Sequence, residues 1–384
     1  MKLIRSVAEF SPSTPLGPVR TAYNLTVSLA RRGVHHTIYT IRGCSFPIHP
    51  LVTIKTFEPL LRFGHYEVAP ILLQQIISEE ADIVHAHQYR NFLTDAATMY
   101  SELRRKPLVL TAHGSVAAFK QKHWSLAEKA PNYLYDIGTA RWALRRATFV
   151  VATTVAEATE MIRFGVPRSK VHVIPSGVEF PSLNGAKGAR DKMEKVTVLT
   201  VSRITKERNL EMALQAFALA ARTCTQKLRL VIVGDEKPSI LGIGNQNLRG
   251  RLADLAEELG IGQRVTFTGW LTNEKLWQAY CDADMFLWTS SYESFGQALV
   301  EAAYFGLPII STPVGVAAEI IGDGKGGFLI ARNDPSLFAQ ALLTLIDDRR
   351  LASEMGLHNR VKAKDFSVER MTESYMSLYN EAFR

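Results

Sequence analysis

Two acids eight residues apart, Glu293 and Glu301, bracket a Ser-Phe-Gly turn in the run YESFGQALVEAAYFGLP, Tyr292 to Pro308. Ser294 reads as a helix N-cap, Gln297 onward as the first turns, and Gly306 to Pro308 as the stop. The first acid then precedes the helix and the second lies about one turn inside it, so both can face the mouth of one cleft. Between them, the backbone N–H groups of Phe295, Gly296 and Gln297 form a helix start, which attracts anions and hydroxyl oxygens. Two hydroxyl-binding carboxylates around a phosphate-binding helix end suit a nucleotide-sugar. Taken alone, the spacing would describe two solvated surface glutamates. The turn inside it and the clusters elsewhere in the chain weigh against that.

Arg203 and Arg208 sit in SRITKERNL, just past an apolar run and before a helical one. The planar guanidinium fork makes paired, charge-assisted hydrogen bonds to a diphosphate. Positive charge at a helix start opposes the macrodipole, so an anion is expected there. Gly17 in PLGPVRTAYN lets the backbone approach a ligand closely, and Pro18 fits a first helical turn. This is no G-x-G-x-x-G fingerprint and the chain has no G-x-x-x-x-G-K-[ST], so neither NAD binding nor P-loop hydrolysis is supported. His113 in LTAHGS ends a strand. It can hydrogen-bond a sugar hydroxyl, steady charge at a reacting carbon, or simply be structural. His85 and His87 alternate and share one strand face. No acidic third ligand sits at a recognisable spacing and no Asp-x-Asp lies in the strand-end loops, so no metal site is expected. Arg90 in HQYRNF can meet an acceptor phosphate. Arg141, Arg145 and Arg146, with Lys120, Lys122 and Trp124, make either a membrane-facing surface or an ordinary basic face.

The elements that must position these residues alternate. Short apolar runs (KLIRSVA, HHTIYTI, DIVHAH, PLVLTAHG, ATFVVATT, KVHVIP) are interleaved with helical patterns, and a second set opens with KVTVLTVSR. Between the sets, SLNGAKGARDKMEK reads as a linker. Such alternation means parallel sheets covered on both faces. Two sets mean two doubly wound α/β domains with a cleft between them, expected at residues 1–183 and 184–365. Ligands of such sheets bind outside the carboxyl ends of the strands. Polar clusters fall at six of those ends.

A length of 384 residues suits two domains, and 47% hydrophobic with 21% charged residues is a globular balance. Three cysteines form neither a C-x-x-C nor an even framework, which fits a reducing compartment. No signal peptide and no apolar run near the ~20 residues that span a bilayer is visible. A cytoplasmic protein, or one peripheral on the cytoplasmic membrane face, is expected. The net charge of +8 is lopsided: residues 1–180 hold 21 Lys+Arg against 13 Asp+Glu, and the remainder holds 24 of each. A basic half suits anionic lipid or a phosphorylated acceptor.

Together these residues resemble retaining glycosyltransferases of family 4, built on the GT-B fold. The resemblance spans nearly the whole chain and is strongest in residues 196–330. It rests on Glu293 and Glu301 around SFG, and on the arginine and basic residue five apart, Arg203 and Arg208. It rests also on the glycine loop at Gly17 and Pro18, on His113-Gly114, on IPSGVE (Ile174 to Glu179) and on VGVAAE (Val314 to Glu319). GPVRTAYNL and HQYRNF resemble a prokaryotic, archaeal-type branch. Three departures stand out: Arg208 where lysine is usual, Pro18 where a second glycine is usual, and Glu179 where aspartate is usual.

By position, the resemblance implies that Glu301 holds the ribose hydroxyls, and that Glu293 and residues Ser294 to Gln297 hold the donor sugar. Arg203 and Arg208 would bind the diphosphate and stabilise its departure, with Gly17 close to the nucleotide and His113 orienting the sugar. It implies retention of anomeric configuration, by front-face attack with a donor phosphate oxygen taking the acceptor's proton. No cofactor and no metal is implied. The last helix, FSVERMTESYMSLYNEAF, commonly completes the first domain in this fold. The expected partners are a nucleotide-sugar donor, a lipid-linked or glycan acceptor and an anionic membrane surface, with no nucleic acid. Competing readings are a GT-B epimerase or hydrolase, or a non-catalytic nucleotide-sugar-binding protein.

Overall fold

A computed structural model describes residues 1–11, 17–44, 46–63, 66–114, 135–181, 195–236 and 247–384. The chain forms two compact units: Met1–Glu179 with Phe366–Arg384, and Phe180–Asp365. Residues 182–194, read above as a linker, lie outside the described residues, as do Lys120, Lys122 and Trp124.

The first unit is built on seven parallel strands: β1 (Lys2–Ser6), β2 (His35–Thr40), β3 (Val52–Thr56), β4 (Ile83–His87), β5 (Leu108–Thr111), β6 (Phe149–Ala152) and β7 (Val171–Val173). Their order across the sheet is β7-β6-β5-β4-β1-β2-β3. The inner strands read as near-continuous apolar runs because both faces are covered, which is the signature of a parallel sheet. Every residue of β4 and β5 is buried. Helix Gly17–Arg31 and the C-terminal helix Val368–Phe383 share one core cluster with β1 and β4: Leu25, Leu29, Leu3 and Ile83 meet Met371, Tyr375 and Leu378. Val178 N–H donates to the Phe366 carbonyl at 2.8 Å where the chain re-enters this unit. Sequence-adjacent strands run outward in both directions from the β1–β4 pair. That pair is the topological switch point, where the loops part and leave a crevice.

The second unit repeats the plan with six parallel strands: β8 (Lys195–Val201), β9 (Lys227–Val233), β10 (Val265–Gly269), β11 (Met285–Trp288), β12 (Ile309–Ser311) and β13 (Gly327–Leu329). The order is β10-β9-β8-β11-β12-β13, the doubly wound dinucleotide-fold order. Val198 and Leu199 pair with Met285 and Phe286 at the switch point. The core joins Val198, Leu230 and Leu287 of the sheet to Phe217, Phe338 and Leu342 of its helices. The site helix, Gln297–Tyr304, follows β11 and packs on helix Arg349–Ala363. Among the described residues no helix is long and apolar enough to cross a membrane.

Candidate active site

In the second unit, the loops after β8, β9, β11 and β12 are tied together at the carboxyl edge of the sheet. Gly234 has φ 126°, and a β-carbon there would overlap the Ser202 carbonyl. Ile204 N–H donates to the Asp235 carbonyl at 3.0 Å. Ser291 N–H donates to Glu207 O at 2.8 Å, and the Thr289 hydroxyl donates to Asn209 O at 2.9 Å. The Thr312 hydroxyl donates to Ser290 O at 2.6 Å. A ligand at the switch point therefore meets a platform whose loops hold one another.

Arg208 and Glu293, 85 positions apart, form an ion pair on this platform. Nη1 of Arg208 also donates to the Tyr292 carbonyl at 3.2 Å, and its guanidinium lies 5.4 Å from the Trp288 ring centroid, a cation–π distance. The anion expected at this helix start is thus supplied in part from within the chain. Arg208 lies in a short 3-10 turn, Lys206–Arg208, and Asn209 at φ 49° separates it from helix Leu210–Thr223. Lys206 is exposed. Arg203 is largely buried. Burial first, and the neighbouring Arg208 cation second, lower its pKa, while Glu293 acts in the opposite sense. Two guanidiniums and two carboxylates, Glu293 and then Glu207, therefore share a field.

The turn between the two acids departs from its sequence reading. Ser294 is not the N-cap; Gly296 is, with φ 95° and ψ 62°. The chain needs a left-handed residue there, and glycine adopts it without a steric penalty. Ser294 instead donates its N–H to the Glu293 carboxylate at 3.1 Å. Gly315 lies against this turn, where a β-carbon would overlap the Phe295 carbonyl, and Val316 N–H donates to that carbonyl at 2.7 Å. The VGVAAE segment thus buttresses the Ser-Phe-Gly turn. Glu301 is 4% exposed and accepts a hydrogen bond from the Tyr280 hydroxyl at 2.8 Å. Tyr280, Trp288 and Ser290 were not singled out in the sequence: Tyr280 reads as the core face of an amphipathic helix, Trp288 as part of an apolar strand and Ser290 as an ordinary loop serine. The chain's one Asp-x-Asp, Asp282 to Asp284, lies at the opposite edge of the sheet. There Asp284 accepts from Thr197 N–H at 2.7 Å.

In the first unit, Gly17 begins its helix beyond β1. His113 follows β5 with φ 53° and is 7% exposed. Its Nε2 lies 3.0 Å from His87 Nδ1. Burial and the Arg5 cation drive its pKa down to about 3. Buried Glu157 pins the turn after it, accepting from Gly114 N–H and from the Thr153 hydroxyl at 2.8 Å. Arg90 makes a two-pronged pair with Asp136, Nε and Nη2 each 2.6 Å from a carboxylate oxygen. That fork is committed within the protein. On the basic helix Arg141–Arg146, Arg141 and Arg145 are exposed, but Arg146 turns onto the Ser101 carbonyl at 2.6 Å.

Two such sheets, with a cationic platform at the switch point of the second, define a nucleotide-sugar glycosyltransferase of the GT-B class. A family-wide profile described as Glycosyltransferase Family 4 matches residues 16–180, and one described as Glycosyl transferases group 1 matches residues 186–362. The chain is 30% identical over 382 residues to the D-inositol 3-phosphate glycosyltransferase of Nocardia farcinica, covering 93% of this chain and 82% of that one. It is 27% identical over 295 residues to a probable sucrose-phosphate synthase of Thermosipho melanesiensis, covering 74% and 66%. The fold matches HepE of Anabaena, solved with UDP and glucose, at a TM-score of 0.76 and 20% identity, covering 99% and 100%. It matches sucrose-phosphate synthase of Thermosynechococcus elongatus at 0.79 and 20% identity, covering 100% and 99%. These relatives are bacterial. The chain belongs to glycosyltransferase family 4.

Proposed function

We propose that this glycosyltransferase is retaining and metal-independent, with the second unit holding the nucleotide-sugar and the first holding the acceptor. The pairing of Arg208 with Glu293 beside Arg203, at the switch point of the second sheet, carries the reading. Departure of a nucleoside diphosphate builds negative charge, and two fixed guanidiniums stabilise it without reorganising. Glu301 is assigned the ribose hydroxyls. Glu293 and residues Ser294 to Gln297 are assigned the donor sugar, Arg203 and Arg208 the diphosphate, and His113 a sugar hydroxyl. Gly17 is assigned close approach to the nucleotide. Attack comes from the face the leaving group departs, with a donor phosphate oxygen accepting the acceptor's proton. Arg90 keeps only a supporting part near the acceptor, since its fork holds Asp136.

HepE was solved with UDP, which makes a uridine nucleotide the first donor to try. Two relatives carry a phosphorylated small molecule in their names, and residues 1–180 hold the chain's excess of positive charge. A phosphorylated acceptor follows from both. The test is nucleoside diphosphate release from UDP-, GDP- and ADP-sugars, with and without candidate acceptors, in EDTA. Acceptor-dependent release with the anomeric configuration kept is expected. No release from any donor would overturn the function, and loss in EDTA restored by manganese or magnesium would overturn metal independence.

A lipid-linked acceptor is the second reading, favoured by exposed Arg141 and Arg145. Each contributes about 1 kcal/mol near anionic lipid, fading with salt. Weak flotation with anionic vesicles at low salt, lost at high salt, is expected. No binding at low salt would return the acceptor to solution, and salt-independent binding would mean apolar insertion.

A further inference from the structure

Arg5 lies in the middle of the first sheet and is fully buried. Among the described residues, its hydrogen bonds go to the Ala22 carbonyl, the Thr26 hydroxyl, His85 and His87, and none goes to a carboxylate. A buried guanidinium without a counter-charge is costly. Its place is therefore informative. Nη2 lies 2.5 Å from His87 Nε2, and His87 Nδ1 lies 3.0 Å from His113 Nε2. Both rings are buried, and the His87 and His113 rings stack with centroids 5.3 Å apart.

Donor and acceptor roles along this row are fixed by elimination. Arginine only donates, so His87 Nε2 accepts and carries no proton. Burial and neighbouring cationic charge hold the imidazoles neutral at neutral pH. A neutral His87 then carries its proton on Nδ1 and donates it to His113 Nε2. The proton of His113 is left on Nδ1. The same rule orders the second branch. His85 Nδ1 accepts from the Tyr379 hydroxyl at 2.6 Å, and its Nε2–H donates to the Thr111 hydroxyl at 2.8 Å. The left-handed backbone at His113, φ 53°, presents this ring at the strand end, a conformation uncommon for non-glycine residues and concentrated at functional sites.

We propose that Arg5 is a positioning residue that, through His87, holds His113 as its Nδ1–H tautomer, making it a hydrogen-bond donor and not a base toward the transferred sugar. The direction of the proton follows from the row itself; the sugar rests on the function proposed above. His113 cannot then deprotonate the acceptor, because one ring nitrogen is already protonated and the other is occupied by His87. The acceptor's proton must leave by another route, as front-face attack requires.

The test is the tautomer itself, read by two-bond proton–nitrogen correlation spectra of the full chain carrying isotope-labelled histidine, without ligand and at neutral pH. Loss of signals in His113→Gln assigns that ring. His87 and His113 are expected on Nδ1–H, and His85 on Nε2–H. Arg5→Lys, which still donates, keeps this pattern. Arg5→Met releases it, and His113 moves toward the Nε2–H form. Donor turnover then falls about tenfold, the equivalent of one hydrogen bond. A wild-type His113 protonated on Nε2, or on both nitrogens, overturns the proposal. So does a His113 that stays on Nδ1–H in Arg5→Met. The wild-type tautomers are read with Arg5 intact and His113→Gln used only for assignment, so if Arg5→Met fails to fold the wild-type spectrum still decides. It also needs no donor, so inactivity on every nucleotide-sugar would defeat the functional reading and leave the tautomer to stand or fall separately.

Discussion

Arg203→Ala and Glu301→Gln are each expected to lower donor turnover by about 30- to 1,000-fold while the fold survives. The expected loss of transition-state stabilisation is on the order of 2–4 kcal/mol, since in the proposed donor site each would remove a charge-assisted hydrogen bond. Glutamine is chosen at Glu301 because that carboxylate also accepts from the Tyr280 hydroxyl inside the protein. Alanine would take that partner from the hydroxyl, which also meets the Ala298 carbonyl at 3.4 Å, and mix a stability cost of about 1 kcal/mol with the functional one. Arg203→Ala is cleaner than Arg208→Ala, which would leave Glu293 without its cation. The measurement is steady-state release of nucleoside diphosphate by purified variants, with thermal melts as the fold control. Wild-type rates in either variant, at an unchanged melting temperature, would remove that residue from the donor site.

The first unit should also be acid-labile, by a larger free energy. Four of its histidines, His36, His85, His87 and His113, are buried. Burial lowers the pKa of all four, with Arg5 adding to the effect in each; His36 is held at about 2 and His113 at about 3. Unfolded, each returns to about 6.5. Below that pH the unfolded chain binds protons that the folded chain refuses, so stability falls as pH falls. Above it, both states are neutral and nothing changes. The four together cost roughly 5 kcal/mol per pH unit once the unfolded forms are charged. A domain holds about 5–15 kcal/mol in all. Unfolding of this unit between about pH 6 and pH 4 is therefore expected, followed by circular dichroism and localised by hydrogen exchange. Among the described residues, His36 has no hydrogen-bond partner at either ring nitrogen. His36→Phe removes one proton sink without breaking a bond, and should move the midpoint to lower pH. A melting temperature constant from pH 7 to 5 would contradict the account.

The alternation of apolar strands and amphipathic helices was legible because β4, β5, β11 and β12 are buried on both faces. Such strands are mostly apolar along their whole length, so their composition declares them even where a polar residue such as His85 or His87 is buried among the apolar ones. The strand order was not legible, since nothing local says which strand neighbours which. At the site, Glu293, Glu301, Arg203 and Arg208 stood out because each is a charge in the loop after an apolar strand or in the first turns of the helix that follows. Their mutual arrangement did not, because the Arg208–Glu293 pair joins two distant segments. Ser294 misled for a definite reason. Capping preference favours serine, but the backbone at that junction demands positive φ, and Gly296 supplies it. Arg5 looked like an ordinary strand residue, since a partner-rich interior for a cation is a tertiary fact.

The first unit borrows its last helix from beyond the second. Tyr375 and Tyr379, which cover Leu25 and Leu29 and reach the buried histidines, are translated only after all of residues 180–365. Domains usually finish in the order they emerge from the ribosome, amino-terminal first. Here that order is inverted. The second unit is contiguous and can close as soon as its own residues are free. The seven-stranded sheet must wait, with one apolar face uncovered and His85 without its tyrosine, for residues made after the whole second unit. A chain released short of Val368 would carry a finished second unit and an unfinished first.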